Sequence, residues 1–178
     1  MTRNGLLTFL SKRGIVAEIG VARGAFSESI IRACEPIELH LIDPWQQIPD
    51  APNAHLDPHN VPNDQAELRY NAVCEKFRGR AIIHRGMSWD VLPQFPDDYF
   101  DWVYIDGDHR YEAIKRDLEL CARKSRIIAG HDYTESCFAR SLCFGVKRAV
   151  DEFLLTGEWV MTHLTEEDFP SYVLERVQ

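Results

Sequence analysis

Short hydrophobic runs alternate along the chain with segments whose apolar residues recur at helical spacing. The runs are rich in Ile and Val and are bounded by Gly, Pro or Asp. They cover residues 15–20, 37–43, 81–86, 100–106, 126–132, 159–165 and 171–176. Continuous apolar runs of this kind are typical of strands buried on both faces of a parallel sheet.

Amphipathic segments separate these runs. They predict helices over residues 25–34, 64–77, 111–122 and 146–155, preceded by a short helix around Leu6, Leu7 and Leu10. The alternation predicts an α/β fold with seven strands, mostly parallel, and helices on both faces of the sheet. Only residues 166–170 join the last two runs, so we expect the chain to end in an antiparallel hairpin.

The segment 44–63 interrupts the rhythm. It contains five prolines together with His55 and His59, which is too many prolines for a helix or a central strand. A connection of this length in a compact domain is usually functional or disordered. Two interpretations remain open, a surface loop and a lid over the ligand crevice.

Composition narrows the class of protein. With 178 residues, 45% hydrophobic and 27% charged, we expect one globular domain over residues 1–178. The net charge of -8, with no block of Lys and Arg, argues against a dedicated nucleic-acid binder. Five cysteines without a C-x-x-C spacing indicate neither a disulfide framework nor a zinc ribbon. No apolar stretch reaches the ~20 residues that span a bilayer, so we expect a cytoplasmic protein that binds no membrane.

Candidate chemistry lies at the ends of the predicted strands, where open α/β sheets bind their ligands. Glu18, Gly20 and Gly24 follow the first run, and the glycines permit a tight turn and a close ligand approach. The spacing is not that of a pyrophosphate loop, and the carboxylate favours a ligand with a cationic end. Asp43 lies where an acidic residue accepts hydrogen bonds from ribose, while Trp45 could stack on a base. The alternatives are a tight turn, a solvated or capping Asp43 and a packed Trp45.

A second group of polar residues follows the fourth and fifth runs. Asp106, Asp108, His131 and Asp132 would converge if those two strands are neighbours, since adjacent strands lie about 5 Å apart. Carboxylates buried together need a compensating cation or proton. Mg²⁺ suits carboxylate ligands, and a histidine ligand would also admit Mn²⁺. The alternative is that one Asp caps the following helix, another is solvated and His131 is an ordinary hydrogen-bonded residue.

Five ordered sequence pieces together resemble the class I S-adenosylmethionine-dependent methyltransferases. The resemblance is strongest to the small metal-assisted O-methyltransferase-like family that includes the macrocin and aminocoumarin sugar methyltransferases. It extends from Ile15 to Arg176. The matching pieces are A-E-I-G-V-A-R-G-A-F-S, L-I-D-P-W, Y-I-D-G-D-H-R-Y, A-G-H-D-Y and G-V-K-R-A-V-D-E-F. It implies a Rossmann-like sheet with a terminal antiparallel hairpin.

The resemblance implies S-adenosylmethionine as cofactor. It assigns cofactor contacts to seven residues, namely Glu18, Gly20, Gly24, Asp43, Met87, Ser88 and Asp106. The first three would hold the methionine part. Asp43 would bind the ribose hydroxyls, and Met87 and Ser88 would lie near the adenine.

The resemblance also implies metal-assisted O-methylation of a small hydroxylated molecule. Asp106 and Asp132 match the metal ligands, and His131 stands where relatives often have another acidic ligand. The cation would be Mg²⁺ or Mn²⁺. Asp108 matches the general base, with His109 as the runner-up.

Three other functions are weighed against this one. Asp106-Gly107-Asp108 is a D-x-D, which metal-dependent nucleotide-sugar glycosyltransferases use. A non-catalytic binding protein could retain the cofactor fold. A nucleic-acid methyltransferase is disfavoured by the charge of -8 and the lack of an aromatic–Pro motif. The acceptor pocket would be closed by segment 44–63, by segment 135–145 or by a second subunit of a homodimer.

Overall fold

The main sheet has seven strands in the order β3-β2-β1-β4-β5-β9-β8. In the computed structural model, residues 1–47, 61–135, 137–138 and 142–177 are described. The strands are β1 Ile15–Ile19, β2 Glu38–Asp43, β3 Ile82–Arg85, β4 Trp102–Ile105, β5 Ile127–Gly130, β8 Trp159–Leu164 and β9 Tyr172–Arg176. All neighbours are parallel except β9, which is antiparallel to both β5 and β8. The predicted seven-stranded sheet and its terminal hairpin are confirmed.

The four longer helices agree with the predicted segments to within about two residues, and one short α-helix, Ser88–Val91, was not predicted. The helices are α1 Arg3–Leu6, α2 Ala25–Cys34, α3 Asn63–Lys76, α4 Ser88–Val91, α5 Tyr111–Lys124 and α6 Val146–Leu154. The leading segment is split, because a 3₁₀ turn, Leu7–Phe9, follows α1. Another 3₁₀ turn, Leu92–Gln94, follows α4. A second small sheet pairs β6 Cys137–Phe138 with β7 Leu142–Cys143. Elements this short contain too few residues to show a hydrophobic periodicity in the sequence.

Each face of the sheet carries its own hydrophobic core. Along β4, Trp102 and Tyr104 pack with residues of α1, α2 and α3, whereas Val103 and Ile105 pack with residues of α5 and α6. All four side chains are buried. Burial on both faces explains why the central strands appear in the sequence as continuous apolar runs.

The predicted lid, segment 44–63, is described only at its two ends. Its residues 48–60 lie outside the described residues, so the choice between a loop and a lid stays a prediction. Among the helices that are described, none combines the length and the apolar character needed to cross a membrane. Cys34, Cys74 and Cys121 are free thiols, and Cys34 and Cys121 are buried, as expected of small apolar residues.

A pair of histidines lies within an aromatic cluster beside β2 and β3. His40 Nδ1 is 2.9 Å from His84 Nε2, and His40 Nε2 is 3.3 Å from a carboxylate oxygen of Glu38. The rings of Phe95, Tyr99 and Phe100 surround His40. Since the carboxylate accepts from His40 Nε2–H, Nδ1 of the neutral ring is the acceptor for His84 Nε2–H. Burial lowers the pKa of both histidines.

The histidine pair makes folding stability depend on pH. The pKa of each ring is lower in the folded chain than the value of about 6.5 in the unfolded chain, so the unfolded state binds more protons in that range. The contribution of these two rings to the free energy of unfolding should therefore fall as the pH is lowered from about 7 to about 5. Replacing His40 by Phe should reduce this slope in urea unfolding, whereas His163→Phe on the edge strand should leave it. An equal slope in the wild type and in His40→Phe would contradict this prediction.

Candidate functional site

The order of the strands reverses between β1 and β4, which places a crevice at their carboxyl ends. Gly20 follows β1 with φ +84°, and a Cβ at this position would lie 2.1 Å from the carbonyl oxygen of Asp106. The amide of Asp106 donates to the carbonyl of Ile19 over 2.8 Å. The loops that follow the two strands are therefore in direct backbone contact, and only glycine fits at position 20.

Gly24 has a different structural role at the start of α2. It has φ +68°, and a Cβ there would lie 2.4 Å from a ring carbon of Phe77. The ammonium of Lys76 donates to the Gly24 carbonyl over 2.9 Å. The second glycine thus lets the beginning of α2 pack against the end of α3.

Asp43 holds the loop after β1 in place. Its Oδ2 accepts from the backbone amides of Val21 and Ala22, both at 2.9 Å, and its Oδ1 accepts from the amide of Trp45 at 2.7 Å. Ala22 and Trp45 have φ of 51° and 40°, a region that non-glycine residues rarely adopt. Neither a solvated nor a helix-capping Asp43 describes these contacts. The carboxylate retains lone pairs that could accept from ribose hydroxyls.

Trp45 is part of the packing and does not stand free in the crevice. It is 3% exposed, its Nε1 donates to the carbonyl of Ala22 over 3.0 Å, and its ring lies 5.3 Å from that of Tyr70. The packing alternative for Trp45 is thus the one observed. A pocket beside it is lined by Ala22, Asp43, Trp45, Gln46, Val61, Ala66 and Arg69.

Glu18 lies behind the glycine loop, with only 1% of its surface exposed. The Ser27 hydroxyl on α2 donates to its Oε2 over 2.5 Å. Burial raises the pKa of this carboxyl to about 8. The nearby carboxylates of Asp106 and Asp43 raise the pKa further, whereas the hydrogen bond from Ser27 and the charge of Arg3 lower it. At neutral pH Glu18 therefore favours its protonated form.

Arg3, a residue that the sequence did not indicate, reaches this group of acids. Its Nη2 lies 2.5 Å from Asp106 Oδ2, and its guanidinium carbon lies 3.7 Å above the ring of Phe26. The contact joins residues 103 positions apart. No motif surrounds Arg3, so only the fold reveals the contact.

The ends of β4 and β5 bring together two histidines and two carboxylates. His109 Nδ1 is 3.1 Å from Asp132 Oδ2, and His131 Nδ1 is 2.8 Å from Asp132 Oδ1 and 3.7 Å from Asp106 Oδ1. Asp132 is buried and has φ 59°. Burial works against its ionisation, but the hydrogen bond with His131 and the charge of His109 outweigh it and lower the pKa of Asp132.

Asp108 and His109 point to different partners. The carboxylate of Asp108 accepts from the Arg110 amide at 3.0 Å and from Arg110 Nε at 2.8 Å. The His109 ring instead joins the cluster and stacks on Phe144, with ring centres 4.9 Å apart. Of the two predicted catalytic residues, the structure places His109 beside Asp132.

Met87 and Ser88 lie at the beginning of α4, after β3. Met87 precedes the helix, and the Ser88 hydroxyl donates to the carboxylate of Asp117 on α5. Burial raises the pKa of Asp117 to about 6. Ser88 is buried and its hydroxyl is engaged by Asp117. The expected contact with an adenine would therefore come from the backbone of Ser88 and not from its side chain.

The described residues fit a divalent cation and a ligand with a cationic end. One ligand atom from each of Asp106, His109 and Asp132 lies within 4.8 Å of the others, and such oxygen and nitrogen donors suit Mg²⁺ or Mn²⁺. This set contains His109 in place of the expected His131, which contacts the same two carboxylates. Beside it, Asp43 and Asp106 lie along the glycine loop, and Glu18 is buried behind that loop. A buried Nε of Arg3 without a hydrogen-bond partner among the described residues marks the same crevice.

Comparison with known proteins gives one family and many structural neighbours. The sequence model of a family described as methyltransferase domain matches residues 17–133, whereas the chain has no match among curated proteins. Cofactor-bound Rv0187 from MTB is 18% identical, with a TM-score of 0.65 over 99% of this chain and 80% of that one.

Two further neighbours have a similar fold. M. capricolum TrmK in complex with S-adenosyl-homocysteine is 12% identical, with a TM-score of 0.65 over 100% of this chain and 69% of its own. The precorrin-6y C5,15-methyltransferase from Geobacter metallireducens is 13% identical, with a TM-score of 0.62 over 98% of this chain and 86% of its own. At these identities the likeness is one of fold.

The buried carboxyl of Glu18 should weaken the fold as the pH rises. Its pKa is about 8 in the folded chain and about 4.3 in the unfolded chain, so the folded state binds the extra proton between these values. The stability that this proton contributes is complete below about pH 4.3 and is lost as the pH approaches 8. Urea unfolding should show that Glu18→Gln becomes more stable relative to the wild type as the pH rises from about 5 to about 8. Glu112→Gln, at an exposed position, should show no such trend. The prediction is refuted if the stabilities of Glu18→Gln and the wild type change in parallel with pH.

Proposed function

The chain belongs to the methyltransferase domain family, and from this premise we propose that it transfers the methyl group of S-adenosylmethionine to a hydroxyl oxygen of a small molecule. The family match over residues 17–133 supports methyl transfer. The observation that carries the choice of a hydroxyl is the contact of His109 with Asp132 beside Asp106, at the mouth of the crevice. A hydroxyl needs a base for its methylation, and this arrangement can provide one.

The cofactor would extend along the loop that follows β1. Its methionine end would lie by Gly20, where the loops after β1 and β4 meet and where Glu18 and Asp106 gather. Its ribose would face Asp43, and its adenine would lie by Met87 and the backbone of Ser88. S-adenosylmethionine supplies an electrophilic methyl group on a positively charged sulfur. Carboxyl groups along this path suit the sulfonium and the ammonium of such a ligand.

The chain must accept one proton for every methyl group that an acceptor oxygen receives. As the oxygen forms its bond to the methyl carbon, the bond from that carbon to sulfur breaks and the hydroxyl proton has to leave. Transfer in line requires that both molecules are held in position, which supplies much of the rate. The remaining requirement is a base within hydrogen-bond reach of the acceptor oxygen.

We assign the role of base to His109. His109 Nδ1 lies 3.1 Å from Asp132 Oδ2, and a carboxylate at this nitrogen would favour the tautomer that leaves Nε2 as a proton acceptor. His131 Nδ1 lies 2.8 Å from the other oxygen of Asp132 and would help to keep that carboxylate in place. Asp108, the base expected from the resemblance, is instead engaged by Arg110. It is the weaker candidate because the guanidinium occupies its carboxylate.

A divalent cation would be held by Asp106 and Asp132. Bound there, it would supply Lewis-acid stabilisation of an ionised hydroxyl. Arg3 already neutralises part of the charge of Asp106. His109 lies within the same set of ligand atoms, but because a neutral imidazole has one free lone pair, it would be left as the base and the two carboxylates would hold the cation.

Other functions fit the observations less well. In a D-x-D site Asp108 would hold a metal together with Asp106, but Arg110 engages the carboxylate of Asp108. Neighbours of similar fold include a tRNA methyltransferase, TrmK. The net charge of -8 disfavours an RNA acceptor for this chain. A binding protein without activity would not need an oriented histidine in the crevice.

The proposed reaction is tested by following the methyl group. The protein is incubated with methyl-labelled S-adenosylmethionine and a cell extract, and the label is traced separately in small molecules, protein and RNA. We expect label in the small-molecule fraction, in a product whose methyl group is lost on ether cleavage and not on ester hydrolysis. Label in RNA or protein would refute the small-molecule acceptor. Absence of both label transfer and S-adenosylhomocysteine binding in calorimetry would refute the enzymatic function.

The same assay tests the cation. Chelation followed by addition of Mg²⁺ should abolish and restore label transfer. A rate that is unchanged by chelation would leave methyl transfer in place and remove the cation from the proposal.

Two substitutions separate the candidate bases. His109→Gln should lower kcat by about 100-fold or more, the usual contribution of a general base. Asp108→Asn should change kcat by only about threefold, because Asp108 is engaged by Arg110. Both variants should bind S-adenosylhomocysteine as the wild type does, which calorimetry checks. The opposite order of effects would return the role of base to Asp108.

A further inference from the structure

We propose that Arg3 binds the carboxylate of the methionine end of the cofactor. The inference rests on the proposed function, because it takes S-adenosylmethionine to lie along the loop after β1. It adds a binding residue from the beginning of the chain, which lies before the residues matched by the family model.

Arg3 lies where the methionine end would be. Its Nη2 contacts Asp106 at the end of β4 over 2.5 Å, and the backbone of Asp106 is the surface against which Gly20 packs. The charge of Arg3 also acts on Glu18. Asp43, proposed to bind the ribose, lines a pocket toward α3 whose lining does not include Arg3. Arg3 is thus at the end of the crevice that is opposite to the nucleoside.

The charges of this region call for a cation. The methionine end carries an ammonium and a carboxylate, and the carboxylate would lie near the anionic side chain of Asp106, with that of Asp132 close by. A carboxylate cannot be held among such groups unless a positive group pairs with it. Arg3 contacts Asp106 and acts through its charge on Asp132, and guanidinium groups bind carboxylates through paired N–H donors.

The guanidinium is held in position but has donors to spare. Its carbon stacks 3.7 Å above the ring of Phe26, and the neighbouring residues Leu6 and Leu7 are fully buried in the core. Its Nε is buried and has no hydrogen-bond partner among the described residues. A buried donor without a partner costs free energy that a ligand can recover. The side chain is 22% exposed, so a ligand can reach it.

A competing interpretation predicts the opposite effect. Arg3 could act as a plug that occupies the place of the ligand's own ammonium on Asp106. Removal of the guanidinium would then raise the affinity for the cofactor. The two interpretations differ in the sign of one measurable quantity.

The test compares two ligands that differ at the methionine end. S-adenosylhomocysteine has the amino and carboxylate groups, whereas 5′-methylthioadenosine lacks both. Arg3→Met keeps an apolar stem over Phe26 and removes the charge. Calorimetry should show a loss of about 10- to 100-fold in affinity for S-adenosylhomocysteine, the value of a hydrogen-bonded charge. The affinity for 5′-methylthioadenosine should change by less than about twofold.

Controls separate this binding role from a structural one. Arg80→Met removes an exposed arginine that pairs with Glu28 and should leave both affinities unchanged. Arg3→Lys retains the positive charge but lacks the paired N–H donors of a guanidinium, so it should give an intermediate loss of affinity for S-adenosylhomocysteine. This variant keeps the test decisive if Arg3→Met fails to fold. Equal losses for both ligands, or a gain for S-adenosylhomocysteine, would overturn the inference. A wild-type protein that binds neither ligand would instead refute the proposed function.

Discussion

The contact of Gly20 with the backbone of Asp106 is the constraint on which the rest of the site depends. It closes the distance between the loops after β1 and β4, at the point where the strand order reverses. Any side chain at position 20 would overlap the Asp106 carbonyl, so the loops would have to separate. Because they do not, the carboxyl of Glu18, the carboxylate of Asp106 and the guanidinium of Arg3 share one small region.

Acidic residues gather in this region, and each is compensated by a different chemical means. Glu18 is stabilised by protonation, since burial raises its pKa to about 8. Asp43 accepts three backbone amides, and Asp106 pairs with Arg3. Asp132 lies between two imidazoles. The way in which each negative charge is balanced decides what the acid can do. A carboxylate that accepts from backbone amides organises a loop, whereas a carboxylate beside a histidine can orient that histidine as a base.

Strained backbone coincides with the same residues. Of the six non-glycine residues with left-handed φ in the described part of the chain, Ala22, Trp45 and Asp132 lie at the crevice. Two of them are held by Asp43 and the third by the histidines. Such conformations persist only where surrounding contacts over-determine them, and they concentrate at functional sites. The hydrogen bonds of the crevice therefore shape both its electrostatics and its backbone.

The amino-acid sequence by itself determined the elements and their arrangement. Periodicity gave the helix 25–34 to the residue, and the spacing of the last two runs predicted the terminal hairpin, because both depend on neighbours in the chain. It also located the polar residues at the strand ends. Only the tertiary structure decided which of them act together. Asp108 and His109 are adjacent in sequence, yet one pairs with Arg110 and the other with Asp132. The contact of Arg3 with Asp106 spans 103 positions. Side-chain direction and long-range packing leave no period in the sequence, so they become visible only when the chain is folded.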